Sequence, residues 1–201
     1  MPGMEPRSPP RASAESTRDR VPFLRWAGIA YAMLAAAALV WNRWAGRPWA
    51  YLDSAAAAAG VRWGRDLGVG IACAAAVIAV SQVITTRTRW GAALARELAL
   101  ALGPLTIGEC AALAALSGFA EEAFFRGALQ PRIGWLGATA LFGLAHWAPR
   151  WSLWPWTGFA LCAGALLGAL FAATGNLVAP ITAHAAINAV NLRLLSRSLH
   201  R

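Results

Sequence analysis

The stretch GFAEEAFFRG, Gly118–Gly127, places two adjacent carboxylates and an arginine inside a strongly apolar part of the chain. An ionisable side chain at the centre of a membrane helix costs about 2.5–3.5 kcal/mol, so its presence there indicates a function. Glu122 and Arg126 are four residues apart, a helical spacing that predicts an ion pair. Glu121 is turned by about 100° from Glu122 and is left without that partner. A buried carboxylate of this kind suits general-base work near neutral pH.

The composition indicates a polytopic membrane protein. Of the 201 residues, 58% are hydrophobic and only 13% are charged, and the mean hydropathy is +0.49. Soluble domains contain nearer a quarter of charged residues. The net charge is +9, but the arginines are scattered between apolar runs and form no single patch. This pattern favours residues that orient helices and meet lipid headgroups, and it argues against a nucleic-acid partner.

The apolar runs predict an all-α bundle of six to seven membrane helices. A span needs about 20 apolar residues, and the candidate runs are 26–44, 67–86, 93–117, 119–147, 154–174 and 177–195. Pro104 is expected to kink the third run, and Pro131 to divide the fourth, with a new helix starting near Trp135. We expect a disordered cytoplasmic tail at 1–20, membrane helices and an interfacial loop at 21–94, and a catalytic helical core at 95–201.

The arginines also predict the orientation. They crowd both ends of the chain, with Arg7, Arg11, Arg18, Arg20 and Arg25 at one end and Arg193, Arg197 and Arg201 at the other. By the positive-inside rule, both termini are expected in the cytoplasm of a multi-pass protein, with a bacterial inner membrane as the expected location.

Two histidines and an asparagine are further polar residues that stand within apolar segments. His146 follows Phe142 by four residues, and His184 precedes Asn188 by four, so that each pair shares a helix face. With the carboxylates, they could converge from three helices on one site among the last four helices. Taken alone, each histidine also fits a packing role, and the Glu–Glu–Arg cluster also fits a structural ion-pair lock.

Together, EEAFFR (Glu121 to Arg126), FGLAH (Phe142 to His146) and HAAIN (His184 to Asn188) resemble the three signature motifs of the CPBP family. These are the CAAX-protease and bacteriocin-processing intramembrane endopeptidases, also called the Abi family and related to the Rce1 prenyl-protein proteases. The three motifs occur in the family's order, and the resemblance covers roughly residues 95–195. The small size and lysine-free composition are also similar to the myxosortase branch, which is thought to process C-terminal sorting tails.

The resemblance implies roles for the matching residues. Glu121, helped by His146, would activate a water to attack a peptide carbonyl. His184 and Asn188 would stabilise the resulting oxyanion, and Glu122 with Arg126 would hold the site together, beside Phe142. The resemblance favours a glutamic protease without a cofactor. Zinc is the alternative, because two histidines and a glutamate could bind it, although the HExxH and HxxEH spacings are absent.

The sequence therefore predicts an intramembrane endopeptidase whose partners are the lipid bilayer and a membrane-embedded or membrane-anchored protein substrate. A prenylated CAAX protein, a bacteriocin leader and a C-terminal sorting tail are all open as substrates. The alternative is a non-enzymatic transporter subunit or scaffold whose buried polar residues carry ions or lock helices.

Overall fold

The computed structural model describes residues 12–199, whose regular structure is helical apart from an isolated bridge between Tyr51 and Asn176. A π-helical segment, Ala123–Leu129, joins the helices Ile107–Glu122 and Gln130–Ala145, and a 3₁₀ turn, Trp151–Leu153, precedes the helix Trp154–Thr174. The prediction of an all-α fold is confirmed. The helices are α1 (Ala12–Trp44), α2 (Ser54–Ala59), α3 (Trp63–Arg87), α4 (Arg89–Leu102), α5 (Ile107–Glu122), α6 (Gln130–Ala145), α7 (Trp154–Thr174) and α8 (Val178–Ser198).

The prediction of six to seven membrane helices is wrong. Three segments of the described chain are long and apolar enough to cross a membrane, namely Phe23–Trp44, Trp63–Arg87 and Trp151–Thr174. A fourth candidate is the pair Arg89–Leu102 and Ile107–Ala145, which is bent by 100°. Helix α4 has only 14 residues, about 21 Å at 1.5 Å per residue, which is less than the roughly 30 Å of a bilayer core. The predicted span 177–195 is the helix α8, whose polar side chains lower its hydropathy.

Two glycines with positive φ set the breaks in the predicted third and fourth runs. Gly103 (φ 68°) ends α4 directly before Pro104, so the expected kink is instead a full break of the helix. Gly134 (φ 78°, ψ 168°) interrupts α6 and the helix resumes at Trp135, as expected, although the break lies three residues beyond Pro131. Such angles are readily adopted only by glycine.

Helix α5 restarts after the first break with a capping box. The Thr106 hydroxyl accepts a hydrogen bond from the Glu109 N–H, and the Glu109 carboxylate accepts one from the Thr106 N–H. These bonds satisfy backbone donors that the first helical turn leaves open. The cap therefore fixes where α5 begins, and with it the position of the carboxylates near its other end.

Helix α8 lies between α5 and α3, and α1 packs against α5 and the π segment. The loop after α1 pairs with the turn between α7 and α8, where Leu52 N–H donates to Gly175 O and Leu177 N–H donates to Ala50 O. Of the tail predicted at 1–20, residues 1–11 lie outside the described chain, and residues 12–20 belong to α1. The helices of the predicted catalytic core therefore pack directly against α1 and α3.

Candidate active site

The polar residues singled out in the sequence lie on α5, α6 and α8 and on the π segment. Glu121 and Glu122 are the last residues of α5, Arg126 lies in the π segment, and His146 is the C-cap of α6. The remaining two, His184 and Asn188, lie on α8. A π segment widens the helix locally and is frequent at functional sites.

The ion pair expected from the four-residue spacing is present. Arg126 Nη1 donates to Glu122 Oε1 at 3.1 Å, and the two residues are 1% and 0% exposed. Arg126 Nη2 donates to the Gly164 carbonyl of α7 at 3.0 Å. The guanidinium also lies 4.4 Å from the centre of the Phe142 ring, within cation–π range. Phe142 is therefore a wall of the Arg126 pocket as well as a neighbour of the histidines.

Glu122 has a second partner that helical spacing could not reveal. His184 Nδ1 lies 2.7 Å from Glu122 Oε1, the oxygen that also accepts from Arg126. A carboxylate only accepts hydrogen bonds, so the Nδ1 of His184 carries a proton. Glu122 thereby fixes the imidazole of α8 as well as the guanidinium of the π segment.

Glu121 faces the two histidines from the other side. Its Oε2 lies 3.7 Å from His146 Nε2 and 3.9 Å from His184 Nε2, and it accepts no hydrogen bond from the described residues. These distances exceed those of direct hydrogen bonds and suit contacts through a shared water. The residue is 8% exposed.

His146 is fixed through its other nitrogen. Its Nδ1 lies 2.8 Å from the Phe142 carbonyl oxygen, an acceptor, which places a proton on Nδ1 and leaves Nε2 with a lone pair when the ring is neutral. The ring lies 4.5 Å from that of Phe142 and has an edge contact with Trp156. Glu121 Oε2 and the Nε2 atoms of both imidazoles therefore converge on one point.

Asn188 has a hydrogen-bond partner on α5. Its Nδ2 donates to the Ser117 hydroxyl at 2.9 Å, and Ser117 is buried on α5, four residues before Glu121. An amide nitrogen has two protons, so one N–H is fixed by Ser117 and the other is left to donate. Ser117 belongs to none of the three sequence motifs, although its spacing from Glu121 places both on one face of α5.

Convergent acceptors are also what a metal ion would use. Within the described chain, however, no group of three or more His, Cys, Asp and Glu side chains is placed so that it could hold a metal. Both Nδ1 atoms are engaged with Phe142 and Glu122, so each ring offers one nitrogen.

An apolar cavity of about 820 Å³ lies beside the cluster, between α3, α4, α7 and α8. Trp156 lines it and also has its ring 5.7 Å from that of His146. Most other lining residues are apolar, for example Val80, Leu94, Phe159 and Leu194. A single side chain, that of Trp156, therefore separates this apolar surface from His146.

The comparisons with known proteins concern the part of the chain that contains this cluster. Residues 103–190 match the family described as Rce1-like, "Type II CAAX prenyl endopeptidase Rce1-like". The "Uncharacterized protein YpbD" of Bacillus subtilis (strain 168) is 41% identical over 80 residues, which are 39% of this chain and 41% of that protein. The chain thus spans about two fifths of that relative's length. No solved structure matches the chain significantly. The segment similar to the Rce1-like CAAX prenyl endopeptidases is the one that supplies every carboxylate and imidazole of the buried cluster.

Proposed function

We propose that this protein is an intramembrane endopeptidase that hydrolyses a peptide bond of a membrane-associated protein. The observation that carries the proposal is the convergence of Glu121 Oε2 on the Nε2 atoms of His146 and His184, inside a cluster where Glu122 already neutralises Arg126. A structural ion-pair lock would need only Glu122 and Arg126. It gives no reason for a second buried carboxylate that faces two imidazole nitrogens.

In the proposed reaction, Glu121 and His146 hold a water through their free acceptor atoms. Glu121 takes a proton from this water while the oxygen of the water attacks the carbonyl carbon of the substrate. The carbonyl oxygen becomes an oxyanion, and the proton passes to the leaving amide nitrogen as the C–N bond breaks. A positioned general base of this kind accelerates a reaction by about 10²–10⁴-fold.

We propose that the oxyanion is bound by His184 and Asn188. The Nδ1 of His184 already donates to Glu122, so its Nε2 can donate only if the ring is an imidazolium. Charge balance supports this form, because two ionised carboxylates then face Arg126 and a protonated His184 in a cluster without net charge. The N–H of Asn188 that is not bound to Ser117 is the second donor.

The proposed substrate is a protein with an apolar membrane segment beside its cleavage site. The apolar cavity lined by Trp156 offers that segment a surface next to His146. Processing of a C-terminal sorting tail, as the resemblance to the myxosortase branch implies, is the narrower form of this proposal. We further propose that the protein lies in a bacterial inner membrane with both termini in the cytoplasm.

The test is cleavage of a reporter with one C-terminal apolar span, co-expressed with the full chain in bacterial membranes. We expect cleavage by the wild type and a loss of about 10²–10⁴-fold for Glu121→Gln, which keeps the side-chain shape and removes the base. Glu109→Gln is the matched control, because glutamine also serves in a capping box. Wild-type cleavage by Glu121→Gln would contradict the proposal, and loss of cleavage on chelation, restored by zinc, would replace the glutamic mechanism by a zinc-dependent one.

A further inference from the structure

Tyr31, in the middle of α1, lies against the candidate active site from outside the segment that matches the family. Its ring is partly buried against a core cluster that includes Leu105 and Leu113. Ser117 and Glu121 follow Leu113 on α5 by about one and two turns. This packing brings the Tyr31 hydroxyl within reach of the side chains of Ser117 and Glu121. Helix α1 packs against both α5 and the π segment, so this placement follows from the packing of whole helices.

The other hydrogen bonds of Ser117 indicate which group accepts the proton of the Tyr31 hydroxyl. Ser117 Oγ accepts from Asn188 Nδ2 at 2.9 Å and can give its single proton to the Ala114 carbonyl oxygen at 3.3 Å. A phenol also has a single proton. The carboxylate of Glu121 is the strongest acceptor near that phenol, and a hydrogen bond to an ionised acceptor is about twice as strong as one between neutral groups.

We propose that Tyr31 is a positioning residue of the endopeptidase site, whose hydroxyl orients the carboxylate of Glu121 towards the hydrolytic water. This inference rests on the proposed function. The contact with Ser117 extends the same network to Asn188, so that one tyrosine of α1 links the general base to the oxyanion donor. Helix α1 is thus part of the active site and not only a membrane anchor.

The first test is the removal of the hydroxyl alone. We expect Tyr31→Phe to lower kcat for the reporter by about 10-fold to 100-fold, with KM and the melting temperature in detergent unchanged, because only the orientation of the base is lost. The chain has two tyrosines. Tyr51→Phe is therefore the matched control, at the bridge to Asn176, and it should cleave like the wild type.

A double-mutant cycle distinguishes positioning from structure. If Tyr31 acts through Glu121, Tyr31→Phe should cause no further loss in a Glu121→Gln background, whereas independent effects would add. Cleavage by Tyr31→Phe at the wild-type rate, in an assay where Glu121→Gln is inactive, would overturn this inference and leave the proposed function standing.

A second measurement does not depend on activity. A photoreactive benzoylphenylalanine in place of Tyr31 should crosslink within the chain to the α5 peptide that contains Ser117 and Glu121, as read by mass spectrometry. The same substitution at Met33, which is 68% exposed, is the control and should not reach that peptide. Absence of the crosslink from position 31 would overturn the placement of Tyr31, while a crosslink in a wild-type fold that cleaves no reporter would count against the proposed function instead.

Discussion

Glu121 and Glu122 are neighbours in the chain but have opposite surroundings. Glu122 is fully buried and shares one oxygen between Arg126 and His184. Glu121 lies across from the Nε2 atoms of both histidines. Since charge inside a low-dielectric cluster is tolerated only when it is paired, we propose that Glu122 supports the site and that Glu121 carries out the chemistry.

Glu122→Gln tests the supporting carboxylate. Glutamine keeps the shape but leaves the Arg126 charge uncompensated, and breaking one partner of a buried pair destabilises a protein by about 3–5 kcal/mol. It also weakens the hold on His184, so we expect both a lower melting temperature in detergent and a loss of reporter cleavage. Glu109→Gln on the same helix should cleave the reporter like the wild type. A Glu122→Gln variant that melts like the wild type would show that the Arg126 charge is balanced elsewhere.

Asn188→Ala tests the proposed oxyanion site. The loss of one oxyanion donor typically costs about 2.7–4 kcal/mol of transition-state stabilisation, a drop of 10²–10³-fold in turnover. We expect a loss on that scale with KM and the melting temperature close to those of the wild type. Ser117→Ala removes only the group that orients the amide, so its loss should be smaller, on the order of 10-fold. Normal turnover by Asn188→Ala would leave Asn188 as a packing residue.

At the scale of helices, small residues let α8 approach its neighbours closely enough to bring its histidine to the carboxylates. A Cβ added at Gly118 of α5 would lie 2.9 Å from the Ala185 backbone nitrogen, next to His184. One added at Gly70 of α3 would lie 2.7 Å from the Ala179 carbonyl oxygen. Both contacts are with backbone atoms, so they cannot be relieved by turning a side chain.

Gly118→Ala should therefore separate α5 from α8 and move His184 away from the site. A displacement of about 1 Å in a catalytic group can reduce turnover by about 10²-fold, and we expect a loss of that order together with a lower melting temperature. Gly108→Ala, on the same helix, meets nothing within 4 Å and should stabilise α5 by up to about 1 kcal/mol. If Gly118→Ala cleaves like Gly108→Ala, the close crossing does not position His184.

The glycines Gly164 and Gly168 of α7 have a similar role. Their carbonyl oxygens accept hydrogen bonds from Arg126 and Gln130, which are also four residues apart. A Cβ at Gly168 would lie 2.8 Å from the Gln130 amide oxygen, and a Cβ at Gly164 would lie 3.0 Å from the Phe142 ring, so both positions need a residue without a side chain. A four-residue spacing of two glycines is a common sign of close helix packing, but it does not indicate that the partners are side chains.

The sequence predicted helices and spacings well where the signal is local. The apolar runs 26–44, 67–86 and 154–174 correspond to candidate spans, and the ion pair of Glu122 with Arg126 is present. The prediction of the number of spans failed because a hydropathy window does not register a bend of the chain. One such bend, of 100°, lies between α4 and α5. The hydrogen bonds of Glu122 with His184 and of Ser117 with Asn188 join distant segments, and no local pattern specifies them.

At the scale of the whole molecule, the helix ends form two opposite faces. On one face, Asn42 at the end of α1 donates to Gly127 O, and Asp66 at the start of α3 accepts from Asn176 after α7. On the other, the loop before α5 meets the end of α8, where Leu105 N–H donates to Ser196 Oγ. Leu24, near the start of the membrane part of α1, packs beside Leu105. The beginning of the first span and the end of α8 therefore share a face, as the prediction of two cytoplasmic termini requires.

The arginines next to the first candidate span, Phe23–Trp44, predict which of the two faces lies in the cytoplasm. Two arginines lie at or just after the span's end, Arg43 and Arg47, and two more, Arg62 and Arg65, lie at the start of the next span. Five precede or begin the first span, namely Arg7, Arg11, Arg18, Arg20 and Arg25. Since the side richer in Arg and Lys stays in the cytoplasm, and the first span usually dominates, the face with Leu105 and Ser196 is expected inside.

Single cysteines in a chain whose Cys73, Cys110 and Cys162 are replaced would test this orientation. Ala58 on α2 and Ser198 at the end of α8 are both exposed and lie towards opposite faces. In intact bacterial spheroplasts, we expect an impermeant maleimide to label Ala58→Cys, and to label Ser198→Cys only after the membrane is opened, because that reagent does not cross the bilayer. The reverse pattern would invert the protein in the membrane, and labelling of both positions from outside would contradict a bundle that places them on opposite sides of the bilayer.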